Sequence, residues 1–517
     1  MFENLGADGF RRALPLLAVL MGLLFVVLFT HFIIIDDAYI TFRHSINLAN
    51  HGQLVFNLGE RVEGMTNLLW ALILAGVALL GMPVEGASVW LSLACMLYAG
   101  IRLVQLGVAL GTTPWAGVIA ALVLILNPSF VGSATSGMEG GLFSALLVEA
   151  VYQFACSHPR RALIAASLAF LTRPEAVVFA GLLLCLVLFE SKSFRKGLPY
   201  VLYVAIPAIG VTAFRWLYYD SLVPNTVIAK SFGLSKLQWF LEPMMAYFRG
   251  FFATAPYLAI IALAAAFWVL RDGRRDGKSS RVALLSLGTL LFSYVVVIRN
   301  AGDWMPHYRL LSQYGVLYSV LLVVLLRQQV VGPAVAAALL IYPCVQTVWR
   351  TVELKKAPSI SIESSTNGGF WEDVTIRLMP VLKEGDRVSA DVVGCIAYRM
   401  PNILFHDPAG LADAYVARHG QPSIHYGKHD STYTVGTVRP SVLVWHASGH
   451  LRGVPQEMLD QYITLSPEPP DGWGTDVVMI RNDCFDRIGP AFPGWHRVKL
   501  DAAKDSLGPY ETRGRRK

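Results

Sequence analysis

Apolar residues gather into long runs over the first two thirds of the chain, separated by short polar segments, and then the pattern stops. The runs cover Ala13 to Ile35 and residues 68 to 82, 87 to 110, 115 to 130, 139 to 157, 161 to 172, 175 to 190, 198 to 217, 247 to 270, 282 to 298, 310 to 326 and 330 to 349. Runs of this length predict membrane-spanning helices, although several fall short of the roughly 20 residues that a perpendicular span needs. Some are therefore expected to be broken, re-entrant or lengthened by their flanks. From residue 350 the character changes to strand-like pieces such as "RVSADVV" and "PSVLVWHA" with frequent Gly and Pro. This predicts a soluble α/β or α+β domain over residues 350–517, following a transmembrane domain over residues 1–349.

Composition agrees with the membrane reading. The 517 residues are 54% hydrophobic and 15% charged, against roughly 25% charged in soluble domains. Up to and including Arg350 there are 24 basic and 16 acidic residues, and after it 19 basic and 20 acidic. The net charge of +7 thus belongs to the short loops of the first part, a pattern that orients a membrane protein and not one that binds nucleic acid. Arg11 and Arg12 precede the first run, which lacks a cleavage signature and reads as an uncleaved span with its amino end inside.

Basic residues at 158–161, 192–196, 271–281 and 327 mark cytoplasmic loops. Counting back from them puts Asp36 to Asn67, Gly132 to Gly141, Thr172 to Glu175, Tyr218 to Lys236 and Arg299 to Arg309 outside. That parity holds if run 68 to 82 is re-entrant or interfacial, leaving eleven spans and sending the tail outside. Six cysteines are too few for a disulfide scaffold, and Cys395 and Cys484 are the two in the tail; they form one bridge there or stay as two buried thiols.

The outside segments hold the candidate chemistry. Asp36 and Asp37 directly follow the first span, where partial desolvation and mutual repulsion can raise one carboxyl and make it a proton acceptor. In a helix starting there, Asp36, Ile40, Arg43 and Asn47 share one face. A base for an acceptor hydroxyl and a cation for a leaving phosphate is the pairing that glycosyl transfer needs; the plain alternative is a span end with a snorkelling arginine. The other outside segments offer Glu63, Asn67, Glu139, Arg173, Glu175, Asn225, Lys230, Asp303, Trp304, His307 and Arg309 as candidate contacts to a donor phosphate or substrate. There is no HExxH, no CxxC pair and no Gly-rich phosphate loop. Asp36, Asp37 and Asp303 could hold a divalent cation through oxygen ligands.

"DDAYITFRHSINLANHGQLVFNLGERVEGMTNLLWA", followed in order by "SGMEGGLF", "LTRPEA", "YYDSLVPNTVIAK" and "GDWMPHYRLL", resembles the motifs of bacterial GT-C glycosyltransferases of the terminal β-(1→2)-arabinofuranosyltransferase family. The likeness runs over most of residues 30 to 315. It implies a bacterial cytoplasmic-membrane enzyme that moves a sugar, arabinofuranose in that family, from a polyprenyl-phosphate carrier to an extracytoplasmic envelope glycan. It also implies catalytic acids at Asp36 and Asp37 and a loop arginine at Arg43. The chain departs from the family at "GMEGG", where "GMET" is usual, and at His307, where a glycine is usual. Both places touch substrate contacts. Alternatives are the same chemistry with another lipid-linked sugar or a protein acceptor such as a pilin, a transporter of lipid-linked glycans, or a sensor. A transporter should show internal symmetry and charges near the midplane, whereas here the charges collect at one face.

Overall fold

The computed structural model describes residues 7–191, 194–230, 237–273, 275–300, 302, 306–353, 362–364, 369–423, 427–446, 454–467 and 476–500. The first part is a helical bundle: α1 (Ala7–Phe29), α2 (Asp36–His51), α3 (Leu68–Leu79), α4 (Val84–Ala109), α5 (Pro114–Ile125), α6 (Pro128–Ala134), α7 (Gly140–Ala155), α8 (Pro159–Thr172), α9 (Ala176–Ser191), α10 (Phe194–Tyr219), α11 (Asn225–Ala229), α12 (Leu237–Thr254), α13 (Pro256–Asp272), α14 (Gly277–Arg299), α15 (Arg309–Ser312), α16 (Gly315–Arg327) and α17 (Pro333–Glu353). At its centre α16 is buried on every side from Gly315 to Leu325, walled by α4, α5, α7, α13 and α14.

Four apolar runs are not single straight elements; one of them, 310 to 326, divides into α15 and α16 at Gln313 and Tyr314. The run from Ala13 ends as a helix at Phe29, and Phe32–Ile34 form a short strand, β1, paired in parallel with β2 (Ile362–Ser364). Isoleucines at 33, 34 and 35 favour extended backbone over helix. Run 115 to 130 divides into α5 and α6, bent by 71°, and run 247 to 270 into α12 and α13, bent by 91°. Pro128 and Pro256 open the second halves, where a residue without an N–H costs the helix nothing. Three described helices are long and apolar enough to cross a membrane, or up to five if each bent pair is one span, and six more apolar helices have 10–17 residues. At 12 residues α3 is about 18 Å long by its rise.

The tail carries a six-stranded mixed sheet in the order β10-β8-β9-β7-β3-β4. Its strands are β3 (Arg387–Ala390), β4 (Leu404–His406), β7 (Val442–His446), β8 (Tyr462–Ser466), β9 (Asp476–Arg481) and β10 (His496–Val498), with a separate hairpin of β5 (Gln421–Ser423) and β6 (Gly427–His429). The parallel strands β3 and β4 are joined through α19 (Val393–Arg399), after α18 (Phe370–Leu378) and before α20 (Ala414–His419). Helix α2 lies between bundle and tail. Tyr39 and Phe42 join the bundle core, while Ile40, with Phe56 from the following loop, joins Val388, Ala397 and Phe405 in the tail core. The same short helix therefore belongs to both cores, and this fixes the tail against α2 and the loop that follows it.

Candidate active site

Helix α2 begins at Asp36, after extended Ile35, and closes on Gly52 in the left-handed region (φ 68°), whose N–H bonds back to the helix. Asp36 and Arg43 do share a face, but that face grips the tail helix α19. The Asp36 carboxylate accepts the N–H of Gly394 (2.9 Å) and of Cys395 (2.7 Å) at the start of α19. Two turns later the Arg43 guanidinium donates to the carbonyls of Ala397, Met400 (3.3 Å) and Ile403 (2.8 Å), and also to Phe56 O (2.7 Å) and Asn57 Oδ1 (3.4 Å). Anion at the amino end and cation at the carboxyl end both suit the helix dipole of α19. Arg43 is 4% exposed and sandwiched between the rings of Phe56 and Phe405. The expectation that it faces a donor phosphate is corrected: its donors are spent on backbone carbonyls.

Asp37 points elsewhere and pairs with Arg309 at 3.0 Å. Arg309 also acts electrostatically on Arg173 and Glu175. Behind this pair a chain of polar groups runs inward. Arg173 bonds Glu175 (3.1 Å) and Glu139 (2.5 Å), Asn67 donates to Glu139 (2.6 Å), and Thr41 donates to Asn67 (3.1 Å). Burial decreases outward along the chain, from Glu139 at 1% exposed to Glu175 at 26%. The network therefore has a closed, structural end and an open end at Asp37, Arg309 and Glu175. It joins four outside segments predicted from charge placement, and the fifth touches through Asn225, whose N–H bonds Glu63 O at 3.2 Å.

Asp36 stays partly exposed beside this open end. Burial pushes its carboxyl up to about 7, the two backbone donors of α19 pull the other way, and the charges of Asp37 and Asp407 add to the rise. Asp407 is a tail carboxyl that sequence reading missed. It is buried, accepts the N–H groups of Ala409 (2.9 Å) and Ala412 (2.7 Å), and burial lifts it to about 6.

The other candidates divide between clips and aiming devices. Glu63 is held by Arg215 of α10 at 2.9 and 3.0 Å with both side chains buried, so it is a clip and not an open contact. Arg215 also escaped the sequence reading, although a charge inside an apolar run is itself a signal. Asn225 donates to the carbonyls of Gly410 (2.8 Å), Leu411 (3.0 Å) and Asp413 (3.2 Å), again fastening the tail. Lys230 ends α11 half-buried and has no hydrogen bond or ion pair to the Asp37–Arg309 network among the described residues. His307 and Tyr308 are consecutive non-glycine residues at φ 67° and 50°, and they set the direction in which Arg309 leaves. The His307 ring fills the space in front of Gly132, where any Cβ would collide with it. Asp303 and Trp304 lie outside the described residues.

The tail cysteines are unbridged: Cys395 packs toward the bundle and Cys484 in the tail core, both buried. The open choice between bridge and thiols is thereby corrected to two thiols. A divalent cation fits Asp36 and Asp37 poorly. Two N–H dipoles point at the first carboxylate and a guanidinium sits on the second. Among the described residues no group of three or more His, Cys, Asp or Glu could hold a metal ion.

No family model matches the chain. It is 34% identical over 220 residues to a terminal β-(1→2)-arabinofuranosyltransferase of Mycobacterium tuberculosis, covering 38% of this chain and 35% of the relative. It is 30% identical over 328 residues to the protein of that name from Corynebacterium glutamicum, covering 53% of this chain and 45% of the relative. The chain thus spans less than half the length of these curated relatives. Among solved structures it superposes on ArnT from Cupriavidus metallidurans in the apo state with a TM-score of 0.53 at 12% identity, covering 92% of this chain and 98% of that one. It also superposes on the archaeal oligosaccharyltransferase AglB from Archaeoglobus fulgidus, in complex with an inhibitory peptide and a dolichol-phosphate, with a TM-score of 0.51 at 10% identity over 90% of this chain and 74% of that one. The chain is therefore similar in sequence to the terminal β-(1→2)-arabinofuranosyltransferases and in fold to GT-C membrane proteins.

Proposed function

We infer that this protein is a membrane glycosyltransferase that moves a sugar, arabinofuranose, from a polyprenyl-phosphate carrier to a hydroxyl of an envelope glycan on the extracytoplasmic side of a bacterial cytoplasmic membrane. The observation that carries the reading is the open end of the polar network, where a carboxyl lifted to about 7 stands beside a half-buried carboxylate–arginine pair. A base whose pKa lies near the working pH combines basicity with a usable ionised fraction. The arabinofuranosyltransferase relatives supply the sugar. The dolichol-phosphate bound by the oligosaccharyltransferase of like fold supplies the class of carrier.

In this reading the acceptor hydroxyl attacks the anomeric carbon of the lipid-linked sugar. Asp36 takes the hydroxyl proton; a carboxylate accepting two N–H bonds still has lone pairs to spare. The bond from anomeric carbon to phosphate oxygen breaks with its electrons on the phosphate, and the Arg309 guanidinium meets that charge. Asp37 holds Arg309 in place until the phosphate arrives. Incubation of the purified protein with a panel of radiolabelled polyprenyl-phosphate sugars tests the reading. Label should pass from the arabinose donor to a glycan acceptor; transfer from no member of the panel, or from a hexose donor alone, overturns the reaction or the sugar.

A further inference from the structure

Helix α19 starts in the tail more than 350 residues after Asp36, yet its first turn delivers both donors that fix the Asp36 carboxylate, from Gly394 at 2.9 Å and Cys395 at 2.7 Å. The approach tolerates no side chain. A Cβ on Gly394 would collide with the Asp36 carbonyl and stand 2.9 Å from its Oδ2. The other end of α19 is held by Arg43, on the same face of α2. The two helices are thus clamped at both ends in one register.

We propose that Gly394 is a positioning residue of the transferase site: the first turn of the tail helix α19 aims the Asp36 carboxylate at the acceptor hydroxyl, so the tail is part of the catalytic centre and not only a covering domain. The proposal rests on Asp36 as the proton acceptor. The charged groups facing Asp36 are Asp37 on its own helix, with Arg309 behind it, and Asp407 from the tail. The two α19 amides donate to the Asp36 carboxylate, so loosening α19 removes groups that favour its ionised form.

Gly394→Ala in the full-length protein is the test, with Cys395→Pro as a second variant that deletes one donor and puts the ring Cδ where that N–H pointed; proline fits the first turn of a helix. Arg387→Gln breaks the Glu60–Arg387 pair elsewhere on the tail junction and serves as the control. Two readouts are taken. In the transfer assay, both α19 variants should lower kcat on the order of 100-fold with KM changed less than about 3-fold, and move the acid limb of the pH profile upward. Amide exchange in the peptide covering residues 33–43 should speed up on the order of 10-fold in both, whether or not transfer is detected. Arg387→Gln should change neither. Wild-type exchange in both α19 variants, or wild-type kcat with an unmoved acid limb, overturns the proposal. Equal effects from Arg387→Gln overturn it too, since docking alone would then explain them. Absence of transfer by the wild-type protein would count against the proposed reaction, and the exchange data would still decide the role of α19.

Discussion

Replacing Arg43 separates a structural clamp from a phosphate-binding arginine. The guanidinium satisfies three tail carbonyls and one in the loop after α2, all buried. A hydrogen bond from a charged donor contributes about 1.5–3 kcal/mol. Arg43→Met removes the three shorter of these bonds, to Phe56 O, Ala397 O and Ile403 O, although the Asn47 side-chain amide still serves Phe56 O and the Met400 N–H still serves Ala397 O. The loss is then on the order of 5 kcal/mol, comparable to the whole stability of a typical domain. Arg43→Lys should rescue little, because a single ammonium cannot reproduce the planar fork that reaches both α19 and the loop at Phe56. In detergent, a thermal unfolding assay should show both variants melting roughly 10 °C or more below wild type, with the tail cut early by protease. Donor affinity measured on the fraction that remains folded should be unchanged. If Arg43→Lys melts like wild type and only raises the KM for donor, Arg43 binds phosphate and the clamp assignment is wrong.

Arg309→Ala should lower transfer on the order of 100-fold while shifting the melting point by only a few degrees, since the Asp37–Arg309 pair is partly open to solvent; steady-state kinetics beside a melt reads both. Transfer should rise with pH through about 7 as Asp36 loses its proton, and Asp36→Asn should flatten that limb. The stability sign is opposite: Asp36 and Asp407 are raised above their unfolded value, so the folded state holds extra protons between about pH 4 and 7. Stability should decline across that window as pH increases, and unfolding at pH 4.5 and 7.5 measures it. Cysteines placed at Asn50 and Ser364 should both react with an impermeant reagent from outside intact cells; protection of either would reverse the orientation of the site.

The clustering of the charged loop segments was legible because charges between apolar runs must collect where the loops do, and Glu139, Arg173, Glu175 and Arg309 do meet Asp37 or one another. The shared face of Asp36 and Arg43 was legible too, since helix periodicity is local. What that face touches was not. Its partner α19 lies more than 350 residues away, and nothing in the spacing of Asp36 and Arg43 says whether they meet a ligand or a helix. The bends at Pro128 and Pro256 were marked by the prolines, but apolar character on both sides concealed the break. Glu63 read as a free contact because its buried partner, Arg215, sits inside an apolar run that was counted as a span.

The central claim is that the start of α2, at Asp36, performs the proton transfer in moving a lipid-linked sugar. Transfer of labelled arabinose from a polyprenyl-phosphate donor, compared between wild type and Asp36→Asn at equal folded protein, tests it most directly. The substitution keeps size and removes the charge. A loss on the order of 100-fold to 10,000-fold is predicted, with a lowered melting point, since the amide –NH2 replaces one of the two oxygens that accept α19 N–H groups. Near-normal transfer by Asp36→Asn would contradict the account and move the reaction to the Asp37–Arg309 pair or to Glu175.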